Sequence, residues 1–335
     1  MIRLLIPTLL INLFLISCNS TPTSLKEDPF IEILDDRILE LLDSETPFQI
    51  LAEGFAWTEG PLWLEGQQSL IFTDIPNNSV FRVDSKGELS LYLKPSGYTS
   101  DSPRGGEVGA NGLTLDPQGK LVLCQHGDRR MARMDSPLDQ PQPYFITLVD
   151  NYQGKLFNSP NDVVFDKAGN MYFTDPPYGL EFNMNDPAKE LAFQGIYCLK
   201  ATGELVLLDT ISRPNGLAFS PDEKYLYVAN SDPEQAVWFR YEVGQDGLIH
   251  NRELFYDATE LVGKEGFKGL PDGMKIHSSG IIFATGPGGV WVFDPSGKVL
   301  ARLRTGEATS NCAFSTDEKN FFMTADNYVL KIEMK

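Results

Sequence analysis

Basic residues, cysteine and histidine are all scarce in this sequence. Lys and Arg total 28 against 46 Asp and Glu, for a formal charge of -18. A chain this acidic is a poor match for nucleic acid, whose phosphates select basic surfaces. The same excess modestly favours cation binding, although most of the acids serve only as solvated surface. Of the 4 cysteines, Cys124, Cys198 and Cys312 are an odd set with no CxxC spacing. That excludes a disulfide framework or a cysteine zinc centre and leaves them as small buried hydrophobes. A spanning helix needs about 20 apolar residues. The apolar stretch from Leu4 to Ile16 is too short and is broken by Pro7, Thr8 and Asn12. Preceded by Arg3, it reads as a secretory signal over residues 1–17.

What is present is ordinary globular material rich in turns: 42% hydrophobic residues, 29 Gly and 22 Pro in 335 residues. A length of this size suggests two domains by default, but a closed repeat array holds it as one. The repeat is most visible in Arg213 to Asn230, where Pro214-Asn215-Gly216 leads an alternating strand. A Pro221-Asp222 turn follows, and Tyr225 to Ala229 returns antiparallel. Variants begin at Glu59-Gly60-Pro61, Asn111-Gly112, Asn161-Asp162, Asp272-Gly273 and Asn311-Cys312, each followed by a turn and a second strand. The lead residues Glu59, Asn111, Asn161, Asn215, Asp272 and Asn311 stand roughly 40 to 57 residues apart, a propeller-like period. The expectation is an all-β, six-bladed β-propeller over residues 46–335. The last repeat runs out of chain after three strands, so Phe48 to Ala52 is expected to supply the fourth and close the ring. Apolar pairs from Phe30 to Leu42 recur at three- and four-residue spacing and predict an amphipathic helix over 29–43, within an N-terminal helical segment 29–45. Residues 18–28 read as a polar tether.

In a propeller the first strand of every blade lines the central channel, so the six lead residues form one ring at one mouth. Loops between second and third strands emerge at the same end. They include Gln125 to Arg129, Asp175 to Tyr178, and the insertion between Tyr178 and Gln194. The loop Ser96 to Val108 precedes Asn111, and together these loops either shape a cleft or are passive surface. Glu59, Asn161, Asn215 and Asp272 offer hard oxygen donors, two of them charged. Such a set suits Ca²⁺, Mg²⁺ or Mn²⁺ and tolerates Zn²⁺. The alternative is that these residues only form turns and strand entries. His126, one of 3 histidines, is placed at the mouth as a base or as a loop-stabilising hydrogen bonder. Asn111, Asn311, Tyr178 and Arg129 are candidate contacts for substrate hydroxyls.

Trp57-Thr58-Glu59-Gly60-Pro61, Asn158-Ser159-Pro160-Asn161-Asp162, Pro214-Asn215-Gly216 and Pro271-Asp272-Gly273 resemble the motifs of the gluconolactonase / senescence marker protein / luciferin-regenerating enzyme family. Cys124 to Arg130 and Phe173 to Gly179 look closest to its bacterial gluconolactonase branch. The resemblance covers nearly all of 46–335 and implies a six-bladed propeller hydrolase dependent on calcium or zinc, acting on sugar lactones and, in relatives, phosphoesters. It implies that Glu59, Asn215 and Asp272 bind one divalent ion, most readily Ca²⁺, and that Asn161 is a fourth ligand or a substrate contact. Asp272 becomes the first choice for the acid/base residue and His126 the second. The expected activity is metal-dependent opening of an aldonolactone. Hydrolysis of another ester or phosphotriester, or a non-catalytic metal-binding propeller, are the alternatives. Leu15-Ile16-Ser17-Cys18 resembles the bacterial lipobox, which implies an exported lipoprotein held at a membrane by a lipid on Cys18. A conventional signal peptide with an incidental Cys18 is the other reading.

Overall fold

Each repeat folds into an antiparallel sheet, because its second strand returns after a tight turn and cannot bury its apolar face alone. The computed structural model describes residues 28–335. The expected signal peptide, the lipobox-like Leu15 to Cys18 and the expected tether short of its last residue lie outside the described residues. Blade one comprises Thr58–Leu64, Ser69–Asp74, Ser79–Val83 and Leu89–Leu93. Blade two runs from Ala110–Leu115 to Phe145–Val149, blade three from Val163–Phe165 to Leu205–Thr210, and blade four from Pro214–Phe219 to Ile249–Asp257. Blade five begins with Met274–Ile276 and blade six with Thr309–Phe314. Each of these first strands touches the first strand of the next blade, and Thr309–Phe314 returns to Thr58–Leu64. The ring is therefore closed and six-bladed.

Closure uses the N-terminal strand. Gln49–Glu53 pairs antiparallel with Tyr328–Glu333, so blade six takes its outer strand from one end of the chain and its other three from the opposite end. Unzipping this blade would expose two strand edges at once, which couples the termini to the stability of the whole ring.

The predicted helix over 29–43 does not form. Phe30–Ile33 is instead a fifth strand on the outer edge of blade five, with Ile31 opposite Leu303 and Glu32 opposite Arg302. A 3₁₀ turn, Asp36–Glu40, follows, capped by the Asp35 carboxylate accepting from Arg37 N–H at 3.0 Å. The three- and four-residue spacing came from two short elements that happen to bury Ile31, Ile38 and Leu42 in one core cluster with Val292, Leu300 and Leu330. An open sheet edge with unpaired N–H and C=O groups outbid local helix periodicity.

Contact between adjacent first strands depends on the glycine after the lead residue. A Cβ on Gly216 would lie 2.3 Å from the Asp272 carbonyl oxygen. Gly60 has φ +50, and a Cβ there would lie 2.2 Å from the Asn111 carbonyl oxygen. In these motifs the glycine admits the neighbouring blade. Threonines on second strands then tie blades together. Thr73 Oγ1 donates to the Asn111 carbonyl at 3.2 Å, Thr174 Oγ1 to that of Asn215 at 2.8 Å, and Thr285 Oγ1 to that of Ser310 at 2.8 Å.

Ile38 is 1% exposed inside the cluster that joins blades five and six. Ile38→Ala is expected to lower the unfolding free energy by about 2–5 kcal/mol, measured by denaturant titration. A loss under about 0.5 kcal/mol would show that the N-terminal segment is only loosely applied.

Candidate functional site

The lead residues are set by clamps at the ends of the second strands. Asp74 Oδ1 accepts from Ala56 and Trp57 N–H, both at 3.3 Å, just ahead of Glu59. Asp175 accepts from Asn158 and Ser159 N–H, both at 2.8 Å, just ahead of Asn161. Asn230 Oδ1 accepts from Arg213 N–H at 2.8 Å, just ahead of Asn215. Buried hydrogen bonds of this kind hold a loop in one geometry. The strand register also slips beside the lead position in blades one, two, four and six, the sort of bulge that re-aims a side chain.

Glu59, Asn111, Asn161, Asn215 and Asp272 meet on one cavity of about 220 Å³. It is small beside the roughly 300–1,000 Å³ of drug-sized sites and suits a molecule the size of a monosaccharide. Tyr178 lines it too, with its hydroxyl donating to the Ser231 carbonyl at 3.1 Å. Asn311, the sixth lead residue, does not line the cavity. Its Nδ2 donates to Glu59 Oε2 at 3.0 Å, and its Oδ1 accepts from Cys312 N–H. The expected substrate contact is thus a brace behind Glu59.

Two further expectations change. Arg129 is drawn away from the cavity. Its Nε donates to the Phe157 carbonyl at 2.5 Å and its Nη1 to that of Ala188 at 2.9 Å, which pins the insertion to blade three. His126 is fully buried and does not line the cavity; its Nδ1 faces Glu107 Oε2 at 3.5 Å. Glu107 itself does reach the cavity.

Glu107 was invisible to sequence reasoning because no repeat fixes a position inside a loop. Trp57, Arg213, Leu270 and Thr309 also line the cavity, and these had a readable signal. Each stands two residues before a lead residue, on the same face of the chain, and so forms a second tier above the ring. The two long loops meet as well, since a Cβ on Gly105 would lie 2.6 Å from the Glu181 carboxylate.

The electrostatics of the ring are unfavourable as they stand. Burial raises the Asp272 carboxyl well above the usual carboxylate range, and the charges of Glu59, Asp162 and Glu107 raise it further. Burial likewise raises Glu59, and the charge of Asp162 adds to this; the Gly60 N–H at 2.6 Å and the Asn311 amide act the other way. Glu59, buried, and Asp272, partly exposed, crowd one cavity, and a hard divalent cation would satisfy their paired charge. Among the described residues no group of three or more His, Cys, Asp and Glu gathers to hold a metal. A cation here would rely on two carboxylates completed by the amide oxygens of Asn161 and Asn215.

Residues 57–327 match the family model described as SMP-30/Gluconolactonase/LRE-like region. The chain is 38% identical over 304 residues to a gluconolactonase of Zymomonas mobilis, covering 89% of this chain and 84% of that protein. It is 26% identical to a pentonolactonase of Haloferax volcanii, with 79% and 80% covered. The solved structure of a gluconolactonase from Xanthomonas campestris superimposes with a TM-score of 0.78 at 29% identity, covering 92% of this chain and 96% of that one.

The raised carboxyls make a signed prediction for metal-free protein. A folded-state pKa above the unfolded value gives stability that is present at acid pH and lost as pH rises through the folded value. Thermal midpoints in chelator should therefore fall from pH 5 toward pH 8. At pH 8, Glu59→Gln and Asp272→Asn should each raise the midpoint, by at least about 2 °C. If both variants melt below the wild type in chelator at pH 8, the ring carboxylates do not carry this strain.

Proposed function

The chain belongs to the SMP-30/Gluconolactonase/LRE-like family, and on that footing we propose that it is a divalent-metal-dependent hydrolase that opens a sugar lactone to its aldonic acid. The observation that carries the reading is the cavity on the propeller axis, where Glu59 and Asp272 stand with three amides in a space of monosaccharide size. The 38% identity to a gluconolactonase supports the lactone as substrate.

Glu59, Asp272, Asn215 and Asn161 would hold the ion, with Ca²⁺ the best match to an all-oxygen set. When bound, the ion supplies Lewis-acid polarisation of the lactone carbonyl. The chain's own residues do the rest. Asn111, whose Oδ1 is free of protein partners, accepts a hydroxyl hydrogen of the sugar. The Tyr178 and Trp57 side chains line the sides of the cavity. The attacking water must still lose a proton, and Asp272 can take it only to the extent that its charge is not already committed to the ion.

The leader and the sequence ending at Cys18 support export and a lipid tether on that cysteine. Mass spectrometry of the mature N-terminus would detect a diacylglyceryl group on Cys18, and an unmodified cysteine would remove the tether.

Purified protein should hydrolyse glucono-1,5-lactone above the spontaneous rate. Activity should vanish in chelator and return with Ca²⁺ or another divalent ion. Asp272→Asn should keep the fold and lower kcat by about 100-fold or more. Metal-dependent turnover of an aryl phosphotriester alone would assign the site to phosphoesters, and turnover of neither would leave a binding propeller.

A further inference from the structure

Glu107 is the one carboxylate on the cavity wall that does not belong to the ring of lead residues. It stays outside the set that a cation at the ring would engage. Its side chain is 37% exposed while the imidazole behind it is fully buried, with Nδ1 at 3.5 Å from Glu107 Oε2. Both ring nitrogens of His126 lack any hydrogen-bond partner. Burying such a ring unpaired is costly, and the acceptor in reach is Glu107. A shift of a few tenths of an ångström would complete the bond, with the hydrogen on Nδ1 pointing at the carboxylate.

The surroundings hold both groups in place. His126 packs against Gly179, where an added Cβ would lie 2.7 Å from the His126 Cβ. Arg104, three residues before Glu107, donates to the Gly127 carbonyl and, at 2.5 Å, to the Gly179 carbonyl. It thereby straps the Ser96–Val108 loop to the two turns that enclose the imidazole. Glu107, Tyr178 and Asp272 line the same cavity.

We propose that Glu107 is the proton-transfer residue of this cavity and that His126 is the residue that positions it. The inference rests on the lactonase reading. As water oxygen bonds to the lactone carbonyl carbon, the Glu107 carboxylate takes the proton that water gives up. The ring C–O bond then breaks, its electron pair leaves on the ring oxygen, and that oxygen takes the proton back from Glu107. One water is consumed, one hydroxy acid is formed, and no oxidant or reductant is needed. Positioned general bases of this kind contribute roughly 10²–10⁴ in rate.

The test uses the full protein with Ca²⁺ and two substrates, glucono-1,5-lactone and δ-valerolactone, which lacks hydroxyls. Glu107→Gln should lower kcat about 100-fold or more on both, with KM within about twofold. Added formate should restore part of the activity of Glu107→Ala. His126→Asn keeps a donor near the Nδ1 position and should retain most of kcat. His126→Phe should lose about tenfold or more in kcat at unchanged KM. A loss confined to the hydroxylated lactone would make Glu107 a hydroxyl-binding residue and overturn the proposal, as would an unchanged kcat in Glu107→Gln or the absence of formate rescue. If wild-type protein hydrolyses neither lactone, it is the lactonase reading that falls, and this inference with it.

Discussion

Two carboxylates crowded into one cavity of a closed ring are the constraint that the rest of the molecule answers. Glu59 and Asp272 come from blades one and five; the Glu59 charge raises the Asp272 carboxyl beyond what burial does, and the Asp162 charge does the same to Glu59. Such a pair weakens a fold unless a cation or a proton sits between them. The surrounding architecture works to prevent escape. Asn311 braces Glu59, the Asp74 clamp fixes its approach, and Gly216 lets blade four close against the Asp272 backbone. Strain of this kind is what a functional site can store when the scaffold over-determines it.

The scaffold can do so because the ring has no loose end. Gln49–Glu53 completes blade six and Phe30–Ile33 covers the edge of blade five, so the N-terminal 25 or so described residues act as a seam. Threonines donating from one blade to a carbonyl at or just before the next lead residue carry that rigidity to the axis. Glu107 arrives at the cavity on the loop that Arg104 straps to the Gly127 and Gly179 carbonyls.

The legible part of this protein was the part governed by pseudo-symmetry. Six lead residues at a propeller-like period gave the blade count, the closing strand and five of the side chains now found on the cavity. The same reasoning, moved two residues upstream, would have added Trp57, Arg213, Leu270 and Thr309, because side-chain direction alternates along a strand. Arg129 and Asn311 went elsewhere for local reasons. The Arg129 guanidinium is captured by the Phe157 and Ala188 carbonyls, and an amide next to a buried glutamate is more valuable as its donor than as a ligand for sugar. The N-terminal segment misled because alternating and helical patterns converge when the apolar runs are only a few residues long. Glu107 had no signal at all, since its place is set by the Arg104 strap and not by any repeat.

The central claim is that Glu59, Asp272, Asn161 and Asn215 share a single divalent cation. Crystals grown with Mn²⁺ and measured for anomalous scattering test it most directly. The account predicts one strong peak on the propeller axis, within about 2.0–2.6 Å of oxygen atoms from all four side chains. Density elsewhere with an empty axis, or a peak that Glu59 and Asp272 do not both touch, would contradict it.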